Sequence, residues 1–228
     1  MKINLTIEAR MTSTRLPGKV NLNLNNCSML EFLIKNVKKS QFIDKIILAT
    51  TTNASDDILV KCADDLGICH FRGSEANVLK RVVDAHRLGG AEIAVLLTAD
   101  NPFVSSDLID EAISNFREDE CIYLTNSGTN RKYPDGLDVI VLKRELLEFS
   151  LNNAISDADF EHVSNVIFRL KNNSIKNFES CDVTRWYPEA SITVDTHADY
   201  LKATKIASNL PENYSYVELL SVIKKLGI

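Results

Sequence analysis

The stretch EARMTSTRLPGK, residues 8–19, is the most informative part of the sequence for the fold, because it joins an apolar run to a polar, cationic loop. The run 3–9 has the length and composition of a short buried strand, and the residues after it are rich in hydroxyl groups and turn formers. Arg10, Arg15 and Lys19 place three cations in this one loop. Because a loop at the carboxyl end of a first parallel strand is a common place for phosphorylated ligands, we predict that this loop binds phosphate.

Two familiar phosphate-binding patterns do not fit this loop. The loop contains too little glycine for either the Walker sequence or the dinucleotide fingerprint. A solvated basic surface remains the alternative interpretation of clustered cations. Arginine can donate two parallel hydrogen bonds to a phosphate, and lysine can act as a point charge beside it.

Composition and charge are those of an acidic globular protein. The 228 residues are 45% hydrophobic and 25% charged, and we predict a single domain over residues 1–228. The net charge of −5 argues against binding to nucleic acid or to an anionic membrane. The N-terminal segment reaches Glu8 too early for a signal peptide, and no apolar run approaches the roughly 20 residues that span a bilayer. Five scattered cysteines without a Cys-x-x-Cys pair predict reduced thiols in a cytoplasmic protein.

Apolar runs alternate with amphipathic segments along the first half of the chain. The pattern predicts strands at 3–9, 45–50, 68–71 and 92–98, and helices at 29–39, 55–66, 76–88 and 106–116. Short alternation of this kind is typical of parallel strands with right-handed crossovers, which place helices on both faces of a sheet.

The second half of the chain has a less regular pattern. It predicts strands at 121–125, 137–142, 175–178 and 191–194, and helices at 144–152, 157–170, 197–208 and 216–226. The segment 126–136 is too rich in Asn, Gly, Thr and Pro to be regular. We predict an α/β fold with a mostly parallel central sheet, helices on both faces, and small antiparallel elements in the C-terminal half.

Two aspartates follow apolar runs at predicted strand ends. Asp100 follows the strand 92–98, and Asp195 follows the strand 191–194. Carboxylates at such ends, facing a phosphate loop, suit Mg²⁺, which is often held by one or two protein carboxylates and substrate phosphates. The alternative is that each aspartate caps the next helix.

The stretch EARMTSTRLPGKV, residues 8–20, resembles the signature Q-A-R-M-x-S-x-R-L-P-G-K-V of the spore coat polysaccharide biosynthesis protein F family. Its members are cytidylyltransferase-like proteins related to the CMP-Kdo and CMP-sialic acid synthetases. Further matches follow in the family's order along nearly the whole chain: ATT at 49–51, FRGSE at 71–75, NVLKR at 77–81, LTADNP at 97–102, YPDGLD at 133–138, EHV at 161–163, and TVDT at 193–196 with Asp199. The resemblance implies a nucleotide-diphosphosugar-transferase-like, Rossmann-like fold. It also implies that CTP and a small-molecule acceptor give a CMP-linked product and pyrophosphate, with Mg²⁺ as cofactor.

The resemblance also implies a set of site residues and a homodimer. The implied nucleotide-binding residues are Ala9, Arg10, Ser13, Arg15, Lys19, Thr50, Arg72, Gly73, Ser74 and Ala99. The implied acceptor-binding residues are Tyr133, Asp135, Gly136, Glu161 and His162, and the implied metal ligands are Asp100 and Asp195. Arg10, Lys19 and Asp100 are predicted to be catalytic, because positioning and charge neutralisation supply most of the catalysis in phosphoryl transfer.

The sequence departs from the family pattern in four places. Glu8 replaces the usual Gln, Thr12 the usual Gly, Asn101 a common Cys, and Phe160 an Arg that often precedes Glu-His. An acid at position 8 would repel phosphates unless it meets a cation or reaches the base or ribose. The missing Arg at position 160 removes one anchor for an anionic acceptor. For His162, a packed residue in an apolar helix is the alternative to an acceptor-site role.

We therefore predict a Mg²⁺-dependent cytidylyltransferase that serves the biosynthesis of a surface polysaccharide or glycoconjugate. One alternative is a glycosyltransferase on the same fold, although Asp100-Asn-Pro102 is not the Asp-x-Asp motif of such enzymes. Another is a non-catalytic binding protein of a polysaccharide pathway.

Overall fold

The computed structural model describes residues 1–118, 121–128, 130–170, 174–180 and 182–228. Its strands are β1 (Ile3–Glu8), β2 (Asn23–Leu24), β3 (Cys27–Ser28), β4 (Lys45–Thr51), β5 (Cys69–Gly73), β6 (Ile93–Thr98), β7 (Tyr123–Thr125), β8 (Ile140–Lys143) and β9 (Ile175–Asn177). Its helices are α1 (Met29–Val37), α2 (Asp57–Asp65), α3 (Val78–Gly89), α4 (Ser106–Glu118), α5 (Arg144–Asn153), α6 (Asp157–Glu161), α7 (Ser164–Phe168), α8 (His197–Ala207) and α9 (Tyr216–Lys225).

The central sheet of the described residues has seven strands in the order β5-β4-β1-β6-β8-β7-β9. β5, β4, β1 and β6 pair in parallel, as the alternation of apolar runs and helices predicted. β8 runs antiparallel to both of its neighbours, β6 and β7, and a separate antiparallel pair joins β2 to β3. The prediction of a mostly parallel sheet with small antiparallel elements is confirmed.

Helices cover both faces of the sheet. Along β6, Val95 and Leu97 belong to one buried cluster, together with residues of α1, α4, α8 and α9. Ala94 and Leu96 belong to a second cluster, together with residues of α3, α5 and α7. Since successive residues of a strand point to opposite faces, each cluster fills one side of the sheet.

Three predictions for the second half were wrong in detail. The segment 191–194 is not a strand, because a single bridge between Asp135 and Ser191 is its only described ladder pairing. The predicted strand 137–142 starts late, at Ile140. The predicted helix 157–170 is two short helices, since His162 ends α6 in an extended conformation.

No helix in the described ranges is long and apolar enough to cross a membrane. Cys27, Cys62 and Cys69 are free thiols, as predicted. The prediction for Cys181 lies outside the described residues.

Candidate active site

A cavity of about 390 Å³ opens at the carboxyl ends of β1 and β6, beneath the cationic loop. Its position follows from the fold, because the chain leaves neighbouring parallel strands at the same edge of the sheet. Among its lining residues are the predicted site residues Ala9, Arg10, Ser13, Arg15, Lys19, Ala99, Asp100, Glu161, His162 and Asp195. Residues from four separate segments of the sequence thus meet at one place.

A buried carboxylate, that of Asp56, fixes the start of the loop after β1 by hydrogen bonds. Asp56 Oδ1 accepts a hydrogen bond from the backbone N–H of Met11 at 2.9 Å. Asp56 Oδ2 accepts from the hydroxyl of Thr50 at 3.0 Å and from the backbone N–H of Thr51 at 3.1 Å. Because the bonds from Thr50 and Thr51 are buried and the bond from Met11 is partly buried, the loop leaves the sheet in a fixed direction.

At the far end of the loop, Lys19 lies between the two aspartates predicted to bind metal. Its Nζ donates to Asp100 Oδ2 at 3.0 Å and to Asp195 Oδ1 at 2.8 Å, and the residue is only 8% exposed. Gly18, with φ of +72°, turns the chain so that Lys19 can enter the cavity. The three residues therefore form one partly buried cluster, although the sequence separates them widely.

Neither aspartate is a helix cap. The N-cap of α8 is Thr196, whose side chain accepts from the backbone N–H of Asp199. α4 begins at Ser106, well beyond Asp100. The backbone N–H of Val194 donates to the carbonyl of Asp100 at 2.9 Å, which fixes the two aspartate segments side by side.

The other two cations of the loop also meet carboxylates. Arg15 Nη2 lies 2.8 Å from Asp195 Oδ1, and its side chain is 65% exposed. Arg10 Nη2 donates to Glu161 Oε1 at 3.2 Å and so ties the loop to the end of α6. Because Arg15 is largely exposed, its pair with Asp195 contributes little to stability, and Arg15 can turn toward a phosphate at small cost.

At this cluster the described residues supply two carboxylates for a metal ion. No group of three or more His, Cys, Asp or Glu side chains in the described part of the chain could hold a metal ion. Asp100 and Asp195 offer two carboxylates around a position that already holds the ammonium of Lys19. A place that stabilises one cation between hard oxygen ligands suits Mg²⁺, provided that substrate phosphates and water complete the coordination.

Glu8 and Arg81 also line the cavity, and the two side chains interact electrostatically. Burial raises the pKa of Glu8 to about 7, while Arg81 opposes the shift and Asp100 adds to it. Arg81 is 3% exposed; its Nη1 donates to the carbonyl of Ser74 at 2.6 Å, but its buried Nε has no hydrogen-bond partner among the described residues. The acid that departs from the family pattern thus has a cation beside it.

Replacing Glu8 by glutamine is expected to stabilise the protein at pH 8. Below about pH 4.5 the carboxyl is protonated in both the folded and the unfolded chain. Between about pH 4.5 and 7 the folded chain retains the proton and the unfolded chain loses it, so the free energy of unfolding falls as pH rises. Glu8→Gln removes this cost and should raise the free energy of unfolding at pH 8 by about 3 kcal/mol.

Urea denaturation at pH 4.5 and pH 8 measures this effect, with the exposed Glu189→Gln as control. The two variants should be alike at the lower pH and differ at the higher one. An equal effect of Glu8→Gln at both values would contradict the raised pKa.

A second cavity of about 330 Å³ adjoins the first. The two cavities share Glu8, Thr98, Glu161 and His162 as a common wall. The second cavity is further lined by Leu96, Leu97, Asn101, Tyr123, Ser127, Asp138, Ile140, Val163, Ser164, Asn165 and Phe168. The arrangement can hold two ligands side by side.

Comparison with known proteins identifies the family of this chain. Residues 5–161 match the family model described as cytidylyltransferase. The chain belongs to the cytidylyltransferase family. Spore coat polysaccharide biosynthesis protein SpsF of Bacillus subtilis (strain 168) is 30% identical over 230 residues, which cover 96% of this chain and 92% of that protein. The predicted resemblance is therefore confirmed.

Solved structures of other cytidylyltransferases have the same fold. A cytidylyltransferase from Leptospira borgpetersenii serovar Hardjo-bovis (strain JB197) superposes with a TM-score of 0.92 at 29% identity, covering 100% of this chain and 95% of that chain. CMP:2-keto-3-deoxy-manno-octonic acid synthetase in complex with CTP superposes with a TM-score of 0.67 at 18% identity. The superposition covers 92% of this chain and 100% of that chain.

Several residues that were assigned to the nucleotide do not line the cavity of this cytidylyltransferase. Thr50 is buried and bonded to Asp56, as described above. Arg72 holds the turn after β4, since its guanidinium donates to the carbonyls of Thr51 and Asn53 and to the carboxylate of Asp57. These two residues therefore stabilise the surroundings of the loop through contacts outside the cavity.

Gly73 and Ser74 also lie outside the cavity, where they contact Arg81. A Cβ atom on Gly73 would lie 3.1 Å from Cγ of Arg81, and Ser74 accepts the Arg81 hydrogen bond through its carbonyl. Arg81 itself was missed. It lies within the matched segment NVLKR, but a single arginine in an amphipathic helix is usually on the surface.

The predicted acceptor residues divide into two groups. Glu161 and His162 line both cavities. Tyr133 is fully buried against Phe178 and Tyr216, so its ring cannot reach an acceptor in this structure.

The other two predicted acceptor residues lie outside both cavities, beside the segment that carries Asp195. The carboxylate of Asp135 accepts from the hydroxyl of Ser191 at 3.1 Å. A Cβ atom on Gly136 would lie 2.4 Å from the backbone nitrogen of Thr193. Asp135 and Gly136 thus place the segment that leads to Asp195.

Proposed function

We propose that the protein transfers the CMP group of CTP to a hydroxyl oxygen of a sugar acceptor, with release of pyrophosphate. The observation that carries the proposal is the cluster of Lys19, Asp100 and Asp195 at the end of the cationic loop, beside a second cavity of similar size. The cytidylyltransferase family and the CTP named with one structural neighbour support CTP as the nucleotide.

In the proposed step, the acceptor oxygen forms a bond to the α-phosphorus of CTP. The bond from that phosphorus to the oxygen bridging the α- and β-phosphates breaks, and pyrophosphate leaves with the bonding electrons. The hydroxyl proton passes to a base in the wall between the cavities, where the acids Glu8 and Glu161 lie.

The cations of the first cavity act on the triphosphate. Arg10, Arg15 and Lys19 neutralise the phosphate oxygens and the charge that develops on the leaving pyrophosphate. Asp100 and Asp195 would hold Mg²⁺, and when bound the ion would orient the phosphates and neutralise their charge. Lys19 then exchanges one of its carboxylate contacts for a phosphate oxygen.

Pyrophosphate release with each of the four nucleoside triphosphates, with and without Mg²⁺, tests the proposal. A panel of sugars, amino sugars, sugar acids and sugar phosphates serves as acceptors, and intact-mass spectrometry detects the CMP-linked product. We expect release with CTP and Mg²⁺ only when an acceptor is present. Release with ATP or UTP at the same rate would contradict CTP specificity.

The same assay separates the alternatives. A glycosyltransferase would consume a nucleotide sugar and release no pyrophosphate from CTP. A binding protein would show a CTP-induced thermal shift without any product. A cytoplasmic location and a homodimer stay predictions, and light scattering coupled to size-exclusion chromatography tests the second.

A further inference from the structure

The second cavity differs from the first in its charge. Glu8, Asp138 and Glu161 line it, whereas no lysine or arginine is among the described residues that do so. The first cavity, by contrast, has Arg10, Lys19 and further cations in its wall. A ligand group in the second cavity therefore faces the carboxylates of Asp138 and Glu161 and the acid of Glu8, whose pKa is raised to about 7.

The arginines nearest to Asp138 and Glu161 are already engaged. Arg131 forms a two-point ion pair with Asp138, with Nη1 to Oδ1 at 2.5 Å and Nη2 to Oδ2 at 3.2 Å, and does not itself line the cavity. Arg10 pairs with Glu161 at 3.2 Å from the side of the first cavity. A carboxylate or phosphate entering the second cavity would have to break one of these pairs to find a cation.

The remaining wall is suited to a sugar ring. Phe168 is 54% exposed, and its ring packs edge-to-face on Tyr123 with centroids 5.6 Å apart. An exposed ring of this kind can cover the C–H face of a pyranose, as aromatic side chains do in apolar binding sites. Asn101 and Ser127 provide amide and hydroxyl groups for ring hydroxyls.

We propose that the second cavity takes a sugar without an anionic group, either a neutral sugar or an amino sugar. This inference rests on the proposed function for the identity of the cavity as an acceptor site, but its charge preference can be measured without any transfer. An anionic group would lose hydration there and, with no lysine or arginine in the described lining, gain no free cation in return, which disfavours sugar acids and sugar phosphates.

Ligand-observed saturation-transfer NMR with three sugars of one ring shape tests the preference. The probes are methyl glucoside, glucosamine and glucuronate, added to the full chain with saturating sodium tripolyphosphate, which is expected to occupy the cationic cavity and permits no CMP transfer. We expect methyl glucoside and glucosamine to bind about tenfold more tightly than glucuronate. Tighter binding of glucuronate, or no difference among the three, would overturn the inference.

A variant of Asp138 separates charge from structure. Asp138→Asn leaves Arg131 without its main partner beside the cavity, so glucuronate binding should strengthen while methyl glucoside binding changes little. The exposed Asp64→Asn is the matched control and should leave all three affinities unchanged. An equal change for all three sugars in Asp138→Asn would indicate a merely structural role and contradict the inference.

Failure of this inference and failure of the proposed function are distinguishable. If glucuronate binds best while CTP still yields pyrophosphate, only the acceptor class is wrong. If the neutral sugars bind best but no triphosphate is consumed, only the proposed reaction is wrong.

Discussion

Lys19→Met is expected to lower kcat/KM for CTP by about a thousandfold, the size of effect seen when a main electrostatic contact of a transition state is removed. Methionine keeps the length and the apolar stem of the side chain but carries no charge. The variant therefore loses the group that would neutralise the leaving pyrophosphate, while the packing around residue 19 is retained.

The same substitution should also change stability in a metal-dependent way. Without Mg²⁺, Asp100 and Asp195 lose the ammonium that contacts both, so the free energy of unfolding should fall by about 2 kcal/mol. Mg²⁺ should restore much of this loss, because a second cation can replace the missing charge.

Steady-state kinetics and thermal denaturation, each with Mg²⁺ and with EDTA, measure the two effects. The exposed Lys205→Met is the matched control and should behave as the parent. If Lys19→Met turned over CTP as fast as the parent, the assignment of this lysine to the triphosphate would be wrong.

Gly136→Ala is expected to cost about 4 kcal/mol of stability, the sum of a strained backbone and an overpacked contact. Gly136 has a φ of +98°, which side chains with a Cβ rarely adopt. The new Cβ would also lie 2.4 Å from the backbone nitrogen of Thr193 and 2.8 Å from the carbonyl carbon of Ile192. These atoms belong to the main chain, so they can yield only if the whole segment moves.

Movement of that segment would displace Asp195, two residues further on. We therefore expect Gly136→Ala to weaken CTP binding in Mg²⁺ as well as to lower the melting temperature. Gly67→Ala is the matched control, since Gly67 also has a positive φ but its Cβ would meet nothing within 4 Å. Equal melting temperatures for the two variants would show that the close contact with Thr193 is unimportant.

The first half of the fold and the first cavity were predictable because their signals are local. Apolar runs of strand length alternate with amphipathic helices, and this order alone indicates parallel strands with a shared edge. The cations of residues 10–19 and Asp100 lie next to such strand ends, so their meeting follows from the topology. Asp195 was predicted correctly as a neighbour of Lys19, although it follows an extended segment and not a strand.

The second cavity could not be predicted in the same way. Asn101, Ser127, Asp138 and Phe168 come from separate segments, and none has a neighbouring motif that indicates a shared cavity. They meet only because β8 runs antiparallel between β6 and β7, a pairing that depends on the packing of the whole sheet.

The directions of some side chains within motifs could not be predicted either. Thr50, Arg72 and Tyr133 lie in segments that match the family, yet their side chains are used for internal contacts. A sequence pattern identifies a segment near a site but does not give the direction of each side chain. Arg81 illustrates the converse, because its burial depends on Gly73 lying opposite it.

Isothermal titration of CTP into the parent protein and into the Asp100→Asn/Asp195→Asn double variant tests the metal–triphosphate site most directly. Each titration is made with Mg²⁺ and with EDTA. The parent should bind CTP about tenfold or more tightly with Mg²⁺, and the double variant should bind it equally under both conditions. Equal affinity of the parent with and without Mg²⁺, or an undiminished Mg²⁺ effect in the double variant, would contradict the account.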